Sequence, residues 1–134
     1  KRDLTLGAFV EGQYTFDSEE WTVSKVGVVG AINIIDKLSL SKDFYYVDAA
    51  EEYFWRTKLT YSIPFKMFKL EPSVKMFEEF RYNLTKGEGS RNDVGLGVQV
   101  PVVKHVNYYL GWRHAERIHS YDTDYIETMV IFSF

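Results

Sequence analysis

Apolar and polar side chains alternate with a period of two along nearly the whole chain. In residues 69–82, KLEPSVKMFEEFRY, the odd positions are Lys69, Glu71, Ser73, Lys75, Phe77, Glu79 and Arg81. The even positions are Leu70, Pro72, Val74, Met76, Glu78, Phe80 and Tyr82. Successive side chains of a strand point to opposite faces, so this stretch predicts a strand with one charged and one apolar face. The same reasoning predicts eight strands: about 3–16, 21–33, 38–47, 53–63, 69–82, 94–102, 106–113, and a last one ending at Phe134. The phase slips near Ser24-Lys25, which predicts a β-bulge. Tight turns are expected near residues 36, 64 and 104, and longer polar loops at 17–20, 48–52, 85–93 and 116–124. Two residues break the pattern. Glu78 falls on the apolar face, and Pro72 sits mid-strand where a ladder donor is missing. A bulge near Pro72 would account for both.

Which face meets water follows from volume. The apolar faces carry Phe16, Trp21, Phe44, Tyr46, Tyr53, Trp55, Tyr61, Phe68, Phe80, Tyr82, Tyr108, Trp112, Phe132 and Phe134. Eight strands enclose room for side chains or one small ligand, and these rings would overfill it. The opposite faces hold the small residues Gly7, Gly27, Ala31, Gly95, Gly97 and Gly111. They also hold Glu11, Arg56, Lys58, Lys69, Glu71, Lys75, Glu79, Arg81, Arg113 and Glu127, charges of both signs that can pair. The expectation is an all-β, eight-stranded antiparallel up-and-down transmembrane β-barrel, one domain over 1–134, with a polar ion-paired interior and an apolar exterior. Buried charges cost several kcal/mol each unless paired, so these ten are expected to form a network.

Composition narrows the partners. The net charge of −3 makes no field for nucleic acid, and the absence of Cys excludes disulfides and thiolate metal sites. Mean hydropathy is −0.24, and no apolar run approaches the roughly 20 residues of a membrane helix. A barrel strand gives little hydropathy signal, so neither fact argues against a membrane. The chain opens at Lys1 without a Met, as expected of a mature or a trimmed chain. Aromatics make up 17% of it. Tyr14, Phe16, Trp21, Tyr53, Trp55, Phe80, Tyr82 and Tyr125 lie beside the longer loops. Tyr61, Phe65, Phe68, Tyr108, Phe132 and Phe134 lie beside the short turns or the terminus. Two such bands are expected where rings meet headgroups at the two interfaces.

The chain ends ETMVIFSF, with Ile126, Thr128, Val130, Phe132 and Phe134 in phase. This resembles the terminal strand signal of Gram-negative outer-membrane proteins, which implies recognition by the barrel assembly machinery. The eight-strand layout resembles small outer-membrane proteins of the OmpX, Ail and OmpA barrel type. The segments LEPSVKMFEEFRYN, SRNDVGLGVQVPV and YYLGWRH also resemble a further family of outer-membrane barrels, one without an assigned activity. The resemblance implies a bacterial outer-membrane location, with both termini on the periplasmic side. It implies contact with lipids and lipopolysaccharide, and short loops that offer a surface to a protein partner.

Catalytic chemistry is thinly represented, and no catalytic, cofactor-binding or metal-binding residue is assigned. His105 reads as a turn residue. His114, Glu116, His119 and Ser120 cluster near the last loop, with Glu127 beyond. A lipid-modifying hydrolase using His119, Ser120 and Glu127 is one alternative, but adjacent residues of a strand face opposite ways. The spacing of His114, Glu116 and His119 fits no metal signature. Asp17, Glu19, Glu20, Asp48, Glu51 and Glu52 read as an acidic rim. A second alternative is a soluble lipocalin-like carrier, with the apolar faces turned inward around a ligand.

Overall fold

The computed structural model describes residues 4–16, 18–67, 70–118 and 121–134, with the backbone alone for 22–24. Asp17, Phe68, Lys69, His119 and Ser120 lie outside the described residues. Eight strands follow one another around a closed antiparallel barrel. They are β1 (Leu4–Thr15), β2 (Glu20–Ile35), β3 (Leu38–Val47), β4 (Glu52–Pro64), β5 (Ser73–Asn83), β6 (Glu88–Val103), β7 (Val106–Arg117) and β8 (Thr123–Ser133). Pairing of β1 with β8, from Gly7 opposite Ser133 to Thr15 opposite Tyr125, closes the ring. Asp36-Lys37 and Lys104-His105 are two-residue turns; Lys37 and His105 take positive φ, each turn following a register shift in the strand before it, between Asn33 and Ile35 and between Pro101 and Val103.

The slip near Ser24 is a bulge. Glu11 pairs with Lys25 and Gly12 with Val23, which leaves Ser24 as the extra residue. A second bulge leaves Ser90 between Arg91, opposite Arg81, and Gly89, opposite Tyr82. Among the described residues no bulge lies near Pro72. Pairing of β4 with β5 runs without a shift from Phe54–Asn83 to Pro64–Ser73. Pro72 precedes the strand, is buried, and accepts a hydrogen bond from the Phe65 N–H at 2.9 Å. Lacking an N–H, it has no donor to give a ladder, and β5 starts immediately after it. The connection at 64 is therefore residues 65–72 and not a tight turn. Glu78 keeps strict phase, exposed on the outer face between Leu59 and Val94.

Residues 88–93, expected in a loop, belong to β6, and the connection shrinks to 84–87. Their Gly, Ser and charged composition resembles a loop because the interior of this barrel is itself polar. β7 and β8 likewise extend into the expected 116–124 loop.

The outer wall is apolar: Leu4, Leu6, Val26, Val28, Trp21, Leu96, Leu110 and Phe132 are all exposed. Inside, four rings (Phe9, Tyr45, Phe77 and Tyr109) are buried together with Met129. They fit because glycines face them. A Cβ on Gly27 would stand 2.5 Å from Tyr45 Cβ, and one on Gly97 or Gly111 would meet the Tyr109 hydroxyl. A Cβ on Gly95 would lie 2.2 Å from Phe77 Cζ and 2.9 Å from the Trp112 carbonyl oxygen. Gly95→Ala is therefore expected to lower stability by about 1–3 kcal/mol, the range for overpacking. Adding Phe77→Leu should recover part of that loss, as read by urea unfolding. Equal stability of Gly95→Ala and the parent would show that the ring does not fill this space.

Candidate functional site

Among the described residues, charged groups converge in the barrel interior. Bringing a charge out of water costs several kcal/mol, and the interior offsets this by pairing. Arg56 on β4 pairs with Glu11 at 2.9 Å, with Glu79 at 3.8 Å, and with Asp43. Lys25 pairs with Glu11, and Lys58 lies 3.8 Å from Glu79. Arg81 contacts Glu79 at 2.7 Å and Asp93 at 3.2 Å. Arg91 and Arg113 reach the same Asp93 oxygen at 3.0 and 2.7 Å. Arg113 also pairs with Glu79 and Glu127. All of the carboxylates and most of the cations are almost fully buried. Aromatic faces help hold the cations: Lys58 Nζ lies 3.8 Å from the Phe77 ring centre, and the Arg56 guanidinium 5.0 Å from that of Phe9.

Of the ten sequence-predicted interior charges, Glu11, Arg56, Lys58, Glu79, Arg81, Arg113 and Glu127 sit in this cluster. Lys75 points inward but meets no carboxylate among the described residues, and donates to Ser62 Oγ at 2.7 Å. Glu71 does not belong to the cluster. It lies exposed in the 65–72 connection, because β5 starts at Ser73, four residues later than the alternation alone implied. Lys69 lies outside the described residues. Sequence reading omitted four members: Lys25, Asp43, Arg91 and Asp93. The bulge at Ser24 hid the phase of Lys25. Arg91 and Asp93 were hidden by the loop-like composition of 88–93. Asp43 is in phase with the inward Tyr45, and that phase was available in LSLSKDFYYV. Tyr125 was expected in an aromatic band. It instead points inward, 4% exposed, in phase with Glu127 and Met129.

The cluster fills the middle of the bore and leaves a cavity at each end. The cavity on the side of the two-residue turns is about 310 Å³ and is lined by Lys58, Lys75, Ser39, Ser41 and Thr60. The other, at the end of the 84–87 and 118–122 connections, is about 440 Å³ and is lined by Arg81, Arg91, Arg117 and Tyr125. No residue lines both cavities. The cluster is a plug.

The residues of the hydrolase alternative are not assembled. Glu127 is fully buried in the plug against Arg113, and His119 and Ser120 lie outside the described residues. His114 Nδ1 lies 3.1 Å from Asp124 on the outer wall, and Trp112 donates to the same carboxylate oxygen at 3.1 Å. Among the described residues no group of three potential ligands could hold a metal ion. The lipocalin-like alternative needs apolar faces inward, and the strands turn them outward.

The sharing of partners decides which ion pair is vulnerable. Without Arg113, Glu79 keeps Arg81, Arg56 and Lys58, and Asp93 keeps Arg81 and Arg91. Glu127 alone among these loses its ion-pair partner, since Arg113 is its one cation at ion-pair distance among the described residues. Arg113→Leu is expected to cost about 3–5 kcal/mol, as for a buried charge left unpaired. The double variant Arg113→Leu, Glu127→Leu should recover more than half of this in urea titrations of the refolded protein. A double variant no more stable than the single one would refute the assignment.

By sequence, neither a protein-family model nor a curated protein matches this chain. Solved structures match by shape. The N-terminal β-barrel domain of Pseudomonas aeruginosa OprF is similar over 100% of both chains, at TM-score 0.62 and 10% identity. A de novo designed transmembrane β-barrel is similar over 97% of this chain and 95% of its own, at TM-score 0.63 and 20% identity. A second designed barrel, TMB2.3, covers 96% and 92% at TM-score 0.52 and 12% identity. At such identities the likeness speaks for fold alone. Joined to the apolar wall and the buried charges, it makes this chain, by fold, a transmembrane β-barrel of the small eight-stranded type.

Proposed function

We propose that this chain is an integral protein of a bacterial outer membrane whose role is structural and interactive, not enzymatic. The observation that carries the reading is the inversion of the ordinary soluble pattern. Ions fill the bore, while an apolar wall far larger than the patches of a soluble monomer faces outward. That wall meets lipid and, in the outer leaflet, lipopolysaccharide. The plug leaves no open bore, which supports an anchor rather than a pore. Leu4, the first described residue, and Phe134 lie at the end of the two-residue turns, the periplasmic side in this reading. The 16–19, 48–51, 84–87 and 118–122 connections then offer a small outer surface to a protein partner. The outward row Ile126, Val130, Phe132 and Phe134 is the segment the barrel assembly machinery would read. Phe134 itself is 84% exposed.

The test is fractionation. Expressed behind a signal peptide, the chain should collect in the outer-membrane fraction and migrate faster on SDS gels unheated than boiled. Removal of Phe134 should lower the amount assembled without changing the refolding of purified protein in detergent. A soluble product with no heat shift would sink the proposal. Glu78 supplies a second test. As a lipid-facing carboxylate with one long hydrogen bond, from Asn92 at 3.5 Å, it costs stability in a bilayer. Glu78→Leu is expected to raise stability by about 1 kcal/mol in lipid vesicles. A fall would place Glu78 away from lipid.

A further inference from the structure

The register of the strands places four arginines in one row. Arg56 stands opposite Arg81, Arg81 opposite Arg91, and Arg91 opposite Arg117. Like charges directly opposite each other on neighbouring strands repel, so a row of this kind needs anions beside it. At its inner end it has them: Arg56 meets Asp43 and Glu11, and Arg81 meets Glu79. Toward the mouth they run out. Arg91 shares the single Asp93 oxygen with Arg81 and Arg113. Arg117 has no carboxylate at ion-pair distance among the described residues.

What joins Arg91 and Arg117 is the Tyr125 hydroxyl. It accepts a hydrogen bond from Arg91 Nη1 at 3.3 Å and another from Arg117 Nη2. The Arg91 guanidinium also stacks on the Tyr125 ring, 5.3 Å from its centre. The Thr123 hydroxyl is a further hydrogen-bond partner of the Tyr125 side chain. The buried Arg91 Nε has no hydrogen-bond partner among the described residues. Donors of two guanidiniums therefore face the 440 Å³ cavity with too few acceptors. Two carboxylates do line this cavity. Glu52 is engaged by Lys86 and Asn83, at 2.8 Å each, and Glu88 is exposed at its edge. Across the whole plug, five carboxylates (Glu11, Asp43, Glu79, Asp93, Glu127) face six cations (Lys25, Arg56, Lys58, Arg81, Arg91, Arg113). Arg117 adds to the excess at this mouth.

We infer that the mouth lined by Arg91, Arg117 and Tyr125 is a binding site for a phosphoryl group. Planar guanidinium forks match the tetrahedral oxygens of phosphate two at a time, and two adjacent forks suit a dianion better than a single carboxylate or a halide. Such a group arrives either on a soluble phosphorylated solute or on the phosphorylated headgroup of a lipid at the rim. Binding does not depend on the orientation in the membrane. Only the identification of this mouth with the cell exterior rests on the function proposed above.

The experiment is calorimetric titration of the refolded full chain, in nonionic detergent and phosphate-free buffer, with inorganic pyrophosphate and separately with lipid A. Saturable binding of pyrophosphate that weakens as NaCl is raised is the expected result. Arg117→Gln lies at the exposed rim and should weaken it about tenfold, the loss of one bidentate contact. Tyr125→Phe should weaken it several-fold, while Lys75→Gln, at the opposite cavity, should leave it unchanged. The heat shift on SDS gels verifies that each variant is folded. Lipid A that displaces pyrophosphate in an Arg117-dependent way identifies the headgroup as the source of the phosphate. Lipid A that does not compete identifies a soluble solute. No saturable binding by the parent chain, or parent-like affinity in both Arg117→Gln and Tyr125→Phe, overturns the inference even if the barrel is confirmed in the outer membrane.

Discussion

The ring of backbone hydrogen bonds, closed by β1 against β8, is the constraint on which everything else in this molecule rests. A sheet with an apolar outer face cannot leave an edge of unpaired N–H and C=O groups where no water reaches them. Closure removes the edge. It also sets the width of the bore, because eight strands enclose space for side chains and little more. Once the ring is closed, each residue of a strand has only two surroundings, wall or bore, and a shift of one residue exchanges them.

The narrow bore explains why charge and glycine occur together. Guanidinium and carboxylate groups are bulky, and the rings of Phe9, Tyr45, Phe77 and Tyr109 share the same volume. Glycines at 27, 95, 97 and 111 remove the wall's own side chains where those rings press against it. The cations then lie on aromatic faces and between carboxylates, so that desolvation is offset from two sides. Because Glu79 and Asp93 each serve several cations, the plug behaves as a lattice, and Glu127 is vulnerable because it does not share in that redundancy.

The same lattice is uneven along the barrel. The carboxylates of the plug sit near its middle, whereas lysines and arginines extend beyond them to both ends, joined at one mouth by Glu52 and Glu88. Lys75 faces one cavity with a serine for company, and Arg117 faces the other with a tyrosine. A wall of alternating residues has no intrinsic reason to place four arginines in one row. The row is a product of register, and register comes from turns and bulges. The bulge at Ser90 decides that Arg91 stands opposite Arg81.

Period-two alternation was enough to identify the strands, their number, and the face each presents, since the two sides of a strand wall differ in solvent and the side chains must differ with them. It was also enough to assign seven of the plug's members, among them Glu11, Arg56 and Glu79. Alternation failed where its phase or its composition misled. Residues 88–93 look like a loop because a polar bore and a polar loop select the same residues, and Tyr125 looks like an interfacial ring until its phase with Glu127 is followed. Pro72 and Glu71 fell outside β5 because the position at which a strand begins depends on what its neighbour can pair with. Which charge meets which was beyond the sequence altogether. That depends on stagger between strands distant in the chain, such as Glu11 with Arg56, and only closure of the barrel brings those side chains to one depth in the bore.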